Sequence, residues 1–392
     1  MKNKRLVSDN KGIFCLFGSF SHSAELFLFL ILPFVFISCF GQNNPSYKSF
    51  NYNRSYKDVP VSTLKKAIDL TSYLPRGYKK DGSVDYTSYL QKGLNENKVI
   101  IFPNFPILVN KNGLSLKSNS KLIFPKGSKL IMQPNAEQRF SILDITRKNN
   151  IQIYNPTLQG EKDLHLGSDG QWGMGINIIS SNNIQIYEPF ITDNWGDGIY
   201  IGNRSKGDNS NITISGGLLD NNRRNGISII SASDLIIKNI YITNTFGTLP
   251  MAGIDIEPNN SVSKLNNINL YQIRTYNSRS GIQITLNYYG SKSLFQDATI
   301  NIDDLNVLEA NHGVYVTGFQ KKPDFHPISG QLSFSNINTD NVNQPFVVEK
   351  HFQSYPNIKI KNYNFNMKGK SYKNDPSMLL KNVATQQGIT YN

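Results

Sequence analysis

Two carboxylates, Asp255 and Glu257, stand two positions apart in a run that alternates apolar and polar side chains. An extended backbone sends both to the same side. A third, Asp197, precedes a glycine, a frequent place for a turn residue. Asp255 and Glu257 invite a cation or a proton-transfer task. The pair expected for glycosidic hydrolysis, one acid protonating the leaving oxygen while the other activates water, is Asp197 and Asp255, two coils and roughly 9–10 Å apart by strand stacking. Arg224 and Arg279 offer a different chemistry. With Tyr315 or His312 as base, an arginine could stabilise the enolate-like intermediate of β-elimination at a uronate. Trp172, Trp195, Tyr200 and Arg223 add surfaces against which sugar rings can pack. Ca²⁺ bound by oxygens of Asp197, Asp255 or Glu257 is a third use of the same acids.

Residues so far apart in the chain need a repeat to bring them together. Gly175-Ile176-Asn177-Ile178 recurs as Gly198-Ile199-Tyr200-Ile201, Gly226-Ile227-Ser228-Ile229, Gly253-Ile254-Asp255-Ile256, Gly281-Ile282-Gln283-Ile284 and Gly313-Val314-Tyr315-Val316. Successive glycines lie 23 to 32 residues apart. A second series is out of phase with the first: Asn149-Asn150-Ile151-Gln152-Ile153-Tyr154 returns unchanged at Asn182 to Tyr187, with weaker copies further on. Period-2 alternation between Asn, Asp, Gly and Ser turns reads as strand. Strands this short cannot bury a face alone, but stacking like strands in parallel buries every Ile and Val in one core. The expected fold is all-β, a parallel β-helix whose coils rise about 4.8 Å each. Neither a leucine-rich repeat, whose consensus is missing, nor a propeller blade, whose period is longer, fits the spacing. A short amphipathic helix from Asp85 to Leu94, with Asp85 as its cap, is expected to cover the first coil.

Read in register, the position between the two β-branched residues forms an outward column of Asn177, Tyr200, Ser228, Asp255, Gln283 and Tyr315. Before the glycines stand Met174, Asp197, Asn225, Ala252, Ser280 and His312. Trp172, Trp195 and Arg223 stand three positions before. These columns would make a groove for a sugar chain on one side of the solenoid. Each member also has a plainer role. The tryptophans could form a ladder capped by Arg223 through a cation–π contact, Asp197 and Asp220 could brace their own turns, and His312 could sit in a loop. His165, in a longer connection, could overhang the groove. No His/Cys spacing suggests zinc, and no glycine-rich loop opens a helix for a phosphate.

The ends read differently. Lys2, Lys4, Arg5 and Lys11 precede an apolar run from Leu26 to Ile37, the pattern of a secretory signal over 1–38. Phe36-Ile37-Ser38-Cys39 is similar to a bacterial lipoprotein cleavage box, which implies that Cys39 is lipidated; an ordinary signal cut near Gly41 is the alternative. Cys15 lies within the signal, so the fold would contain no disulfide. Residues 39–79 read as a tether, 80–365 as the β-helix and 366–392 as a polar tail. The formal net charge is +13. In a secreted, lipid-anchored envelope protein the partner of that charge is expected to be an acidic polysaccharide or an anionic envelope rather than nucleic acid.

The arrangement resembles the pectate-lyase-like superfamily of right-handed, single-stranded parallel β-helices over roughly residues 80 to 365. The opening Asp85-Tyr86-Thr87 followed by Val99-Ile100-Ile101-Phe102-Pro103 is similar to the start of the pectate-lyase-3 type domain. Gln171-Trp172-Gly173-Met174-Gly175-Ile176 and Trp195-Gly196-Asp197-Gly198-Ile199 fit its central coils. The resemblance implies polysaccharide chemistry, although such folds serve lyases, hydrolases, epimerases, tailspikes and non-catalytic surface proteins. Laid over the polygalacturonase-type motifs, Asn194-Trp195-Gly196-Asp197-Gly198 takes the place of Asn-Thr-Asp-Gly and makes Asp197 a catalytic carboxylate. Arg224-Asn225-Gly226 stands where that family has its aspartate pair, and no Gly-His-Gly or Arg-Ile-Lys follows. The expectation is therefore a polysaccharide-cleaving enzyme with catalytic Asp197, Arg224, Asp255 and Glu257. The alternative is a non-catalytic solenoid that binds glycan or protein.

Overall fold

Short runs with apolar residues at alternate positions need a shared interior. A computed structural model of the chain supplies it as a right-handed, single-stranded parallel β-helix of about nine turns. The structure describes residues 50, 52–204, 207–319, 325–349, 355–368, 370–371 and 389–391. The signal over 1–38, Cys39 and much of the expected tail lie outside them.

Three parallel sheets run the length of the stack. The first holds the glycine tetrads in the expected register: Ile176 beside Ile199, then Ile227, Ile254, Ile282, Val314 and Phe346. It starts two rungs before the first tetrad, with Leu114 and Leu143. The second stacks Asn149–Tyr154 on Asn182–Tyr187 and continues in both directions. The third is built from shorter strands such as Phe190–Thr192 and Leu218–Asp220. Inside, Ile176, Ile199, Ile227, Ile254 and Ile282 are all 0 % exposed. Each such side chain contributes about 1.5–3 kcal/mol relative to an exposed one.

Corners between sheets explain the wealth of asparagine. Asn150, Asn183, Asn211, Asp234 and Asn267 all adopt left-handed backbone conformations, with φ between 52 and 59°. Asn and Asp tolerate this region better than other side chains. The amides also bond from coil to coil: Asn183 Nδ2 donates to Asn150 Oδ1 and Asn150 Nδ2 to Asn119 Oδ1, both at 2.8 Å. The tetrad glycines answer a different need. A Cβ on Gly226 would lie 2.6 Å from the Gly253 carbonyl oxygen, and one on Gly253 equally close to that of Gly281.

The cap helix spans Thr87–Glu96, two residues later than expected. Asp85 braces its start by accepting from the Thr87 N–H at 2.9 Å. Leu90 and Leu94 are buried against the first coil. Both outer segments depart from expectation. Ile68 pairs with Ile100 as a rung of the second sheet, and residues 52–58 lie as a strap across the rungs instead of forming a free tether. Tyr52 packs on Tyr241 with ring centroids 5.0 Å apart, Arg54 bonds Thr157 at 2.6 Å, and the Lys57 N–H donates to Asn155 at 2.7 Å. At the other end, Ile389–Tyr391 adds a strand beside Ile358–Ile360, within the expected tail.

Candidate functional site

The outer face of the first sheet carries the site. Asn177, Tyr200, Ser228, Asp255, Gln283 and Tyr315 are consecutive partners across its rungs, as the tetrads required. At its centre Asp197, Arg224, Asp255 and Glu257 converge. Asp197 accepts from Ser228 Oγ at 2.8 Å, the Asn225 N–H at 3.0 Å and Arg224 Nη1 at 3.3 Å. The other terminal nitrogen of Arg224 lies 3.6 Å from Glu257. Asp255 Oδ2 meets Asn225 Nδ2 at 3.3 Å, while its Oδ1 has no donor among the described residues.

Pointing away from the core turns out not to mean facing solvent. Asp197 and Asp255 are both 0 % exposed, Asp197 against the Arg224 side chain, whereas Glu257 keeps 26 % of its side chain in solvent. Burial, and then the charge of Glu257, pushes the Asp255 carboxyl well above the usual carboxylate range, against the opposing charge of Arg224. An acceptor oxygen with no donor beside a second carboxylate is where a shared proton belongs. Burial raises Asp197 as well, opposed chiefly by Arg224. Burial alone would lower the Arg224 pKa, but its three carboxylate neighbours outweigh that and raise it. Arg224, expected as a free charge stabiliser, is already occupied by the protein's own acids. The same convergence corrects the Ca²⁺ expectation: the acids surround a guanidinium, and no three metal-ligating side chains are grouped among the described residues. Next along the column, burial and the charge of Asp197 push the Tyr200 hydroxyl up to about 12.

The aromatic residues divide into two sets. Trp195 is enclosed, with the His165 ring stacked 3.9 Å away and the Arg223 guanidinium 3.6 Å from its ring centre. Arg223 also donates to the Gly170 carbonyl at 3.1 Å, and His165 Nδ1 lies 3.0 Å from buried Glu161. Trp195 and Arg223 therefore brace the connection over residues 161–170 and are not open sugar platforms; His165 lies within this brace, not over a groove. Trp172 does flank an open cleft of about 270 Å³, together with Arg139, Asn177, Tyr200, Asn203 and Arg204. Arg139, Asn203 and Arg204 escaped the sequence reading. Arg139 is in register with Trp172 one coil earlier, where no glycine tetrad marks the strand.

Arg279, one rung beyond Asp255, and His312 and Tyr315, two rungs beyond, form a separate group. His312 stacks on Tyr315 at 4.7 Å, and its Nδ1 lies 3.1 Å from Ser280 Oγ. Burial, and then the Arg279 charge, lowers the His312 pKa, which favours the neutral ring. The Tyr315 hydroxyl donates to Glu349, and burial followed by this bond raises its pKa. Tyr315 thus keeps its proton and is a poor base.

Neither a protein-family model nor a curated protein sequence matches the chain. Solved structures match in fold. The Streptococcus pneumoniae surface protein and adhesin PfbA superposes with a TM-score of 0.56 at 13 % identity, over 83 % of this chain and 88 % of that one. Polygalacturonase from Erwinia carotovora gives 0.56 at 14 % identity, over 80 % and 95 %. The tailspike protein of E. coli bacteriophage HK620, solved with a pentasaccharide, gives 0.55 at 10 % identity, over 84 % and 60 %. At such identities the likeness is one of architecture.

Proposed function

We propose that the outer face of the first sheet binds a polysaccharide and hydrolyses its glycosidic bonds. One observation carries the reading. A fully buried acid, Asp255, with one carboxyl oxygen that no described residue donates to, stands beside the solvent-reaching Glu257, next to a polar and aromatic cleft. Burial holds its carboxyl well above the usual carboxylate range. The pair is a proton store with one accessible end, the property general acid catalysis requires of a carboxyl group. Asp197 and Arg224 hold Asn225, Ser228 and Glu257 around it. Polygalacturonase among the structural neighbours supports polysaccharide chemistry on this fold, and the tailspike supports glycan recognition.

Elimination is the second reading, supported by His312, whose neutral ring is favoured beside Arg279, an arginine with no ion pair among the described residues. Incubation with a panel of acidic and neutral polysaccharides separates the two. Hydrolysis yields new reducing ends without unsaturation and falls about 100-fold or more in Glu257→Gln. Elimination yields unsaturated ends and fails in His312→Ala. Binding without either product would leave a purely adhesive role, the alternative that the PfbA likeness accommodates.

A lipid-anchored place in the cell envelope also belongs to this reading. It rests on the basic start, the apolar run and Ser38-Cys39. Labelled fatty acid should enter the wild-type protein and not Cys39→Ser; equal labelling of both would overturn the anchor.

A further inference from the structure

We propose that the cleft beside Tyr200 seats a sugar unit bearing a carboxylate, gripped by Arg139 and Arg204. This deepens the glycan reading of the same face and rests on it. Neither arginine is in an ion pair with a described residue, although both line one concavity. The Arg139 guanidinium lies over the Trp172 ring at 4.9 Å. A planar cation laid on an indole keeps its N–H edge free for two parallel bonds to a carboxylate.

Asp144 is the only carboxylate among the described lining residues. Its Oδ1 already accepts from Asn177 Nδ2 and Thr146 Oγ1, both at 2.8 Å. Two guanidinium groups against one committed carboxylate leave the cleft positive. Asn203 and the Tyr200 hydroxyl complete a polar wall that could meet sugar hydroxyls.

The volume of about 270 Å³ sits at the lower bound of roughly 300 Å³ for small-ligand pockets. It therefore takes one unit of a longer chain. Tyr200 is shared by the cleft and the acids, since the charges of Asp197, Arg224, Arg139 and Glu257 all act on its hydroxyl. Along the column Tyr200 is two rungs from Asp255, about 10 Å by strand stacking. A uronate in the cleft places the bond to a neighbouring unit toward Glu257.

Calorimetric titration of the protein with uronate trisaccharides and with neutral trisaccharides of the same linkage tests this. At least one uronate should bind about tenfold more tightly than its neutral counterpart, as a charge-assisted pair predicts, and added salt should erode the difference. Arg139→Gln and Arg204→Gln should each reduce that preference with little change for the neutral sugar. Equal affinity for both classes, or a preference untouched in both variants, would overturn the inference. Failure of this idea and failure of the proposed reaction give different results. Uronate preference without any cleavage would leave the cleft assignment standing and sink the hydrolase reading. Cleavage of neutral polymers without uronate binding would do the reverse.

Discussion

Asp255 carries the sharpest consequence at the scale of single residues. Its carboxyl binds a proton more tightly in the folded state than in the unfolded chain. The native state therefore holds the extra proton between the ordinary carboxylate pKa and the raised one, and stability falls as pH rises through that window. Asp255→Asn mimics the protonated acid. It should flatten this alkaline loss and raise the melting temperature at pH 8, by an effect of about 1–2 kcal/mol, while lowering hydrolysis about 100-fold or more. A less stable Asp255→Asn protein at pH 8 would contradict the shared-proton reading. Arg224 predicts the opposite. Replacing it by Met strands Asp197 and Glu257 and should cost about 3–5 kcal/mol; adding Asp197→Asn should return part of that in a denaturation series. The column of Asp255 was visible in the spacing of the glycines, but its burial was not. The neighbour of Asp255, Asn225, comes from another rung, as Arg224 does for Asp197, and no pattern within a single strand encodes such crossings.

At the scale of elements, the tetrad glycines are a packing requirement. Gly253→Ala sets a methyl group against the carbonyl of Gly281, and should cost about 1–3 kcal/mol through backbone displacement. Thermal unfolding of this variant beside Ile254→Val, expected to lose about 0.5–1.5 kcal/mol, would show whether close approach outweighs one methyl of core. The first two sheets were legible because a recurring sequence marks their strands, the Gly-Ile-x-Ile tetrad in one and Asn-Asn-Ile-Gln-Ile-Tyr in the other. The third was not: Phe190–Thr192 and Leu218–Asp220 are three residues each and share no recurring sequence to mark them. The asparagines were legible as composition, while their left-handed corners and coil-to-coil bonds needed the stack to give them neighbours.

The whole molecule adds the strap, which no periodicity announces. Arg54 lies over the Phe190 ring at 4.6 Å and Phe50 meets Tyr241 at 5.9 Å, so the segment seals aromatic side chains along several rungs. A chain beginning at Pro60 should keep its strand content yet melt several degrees lower, by roughly 1–3 kcal/mol for the lost aromatic and hydrogen-bond contacts; an unchanged melting temperature would show that the strap adds nothing. Its contacts also impose an order of events. Within the solenoid each coil needs only the next, a matter of some thirty residues. The strap instead closes loops of 98 and 103 residues at Lys57 and Arg54, and longer ones above them. Such closures reward the chain only once the distant partners already exist. Residues that leave the ribosome ahead of every coil are thus among the last to find their place, and the solenoid is fastened by its own beginning.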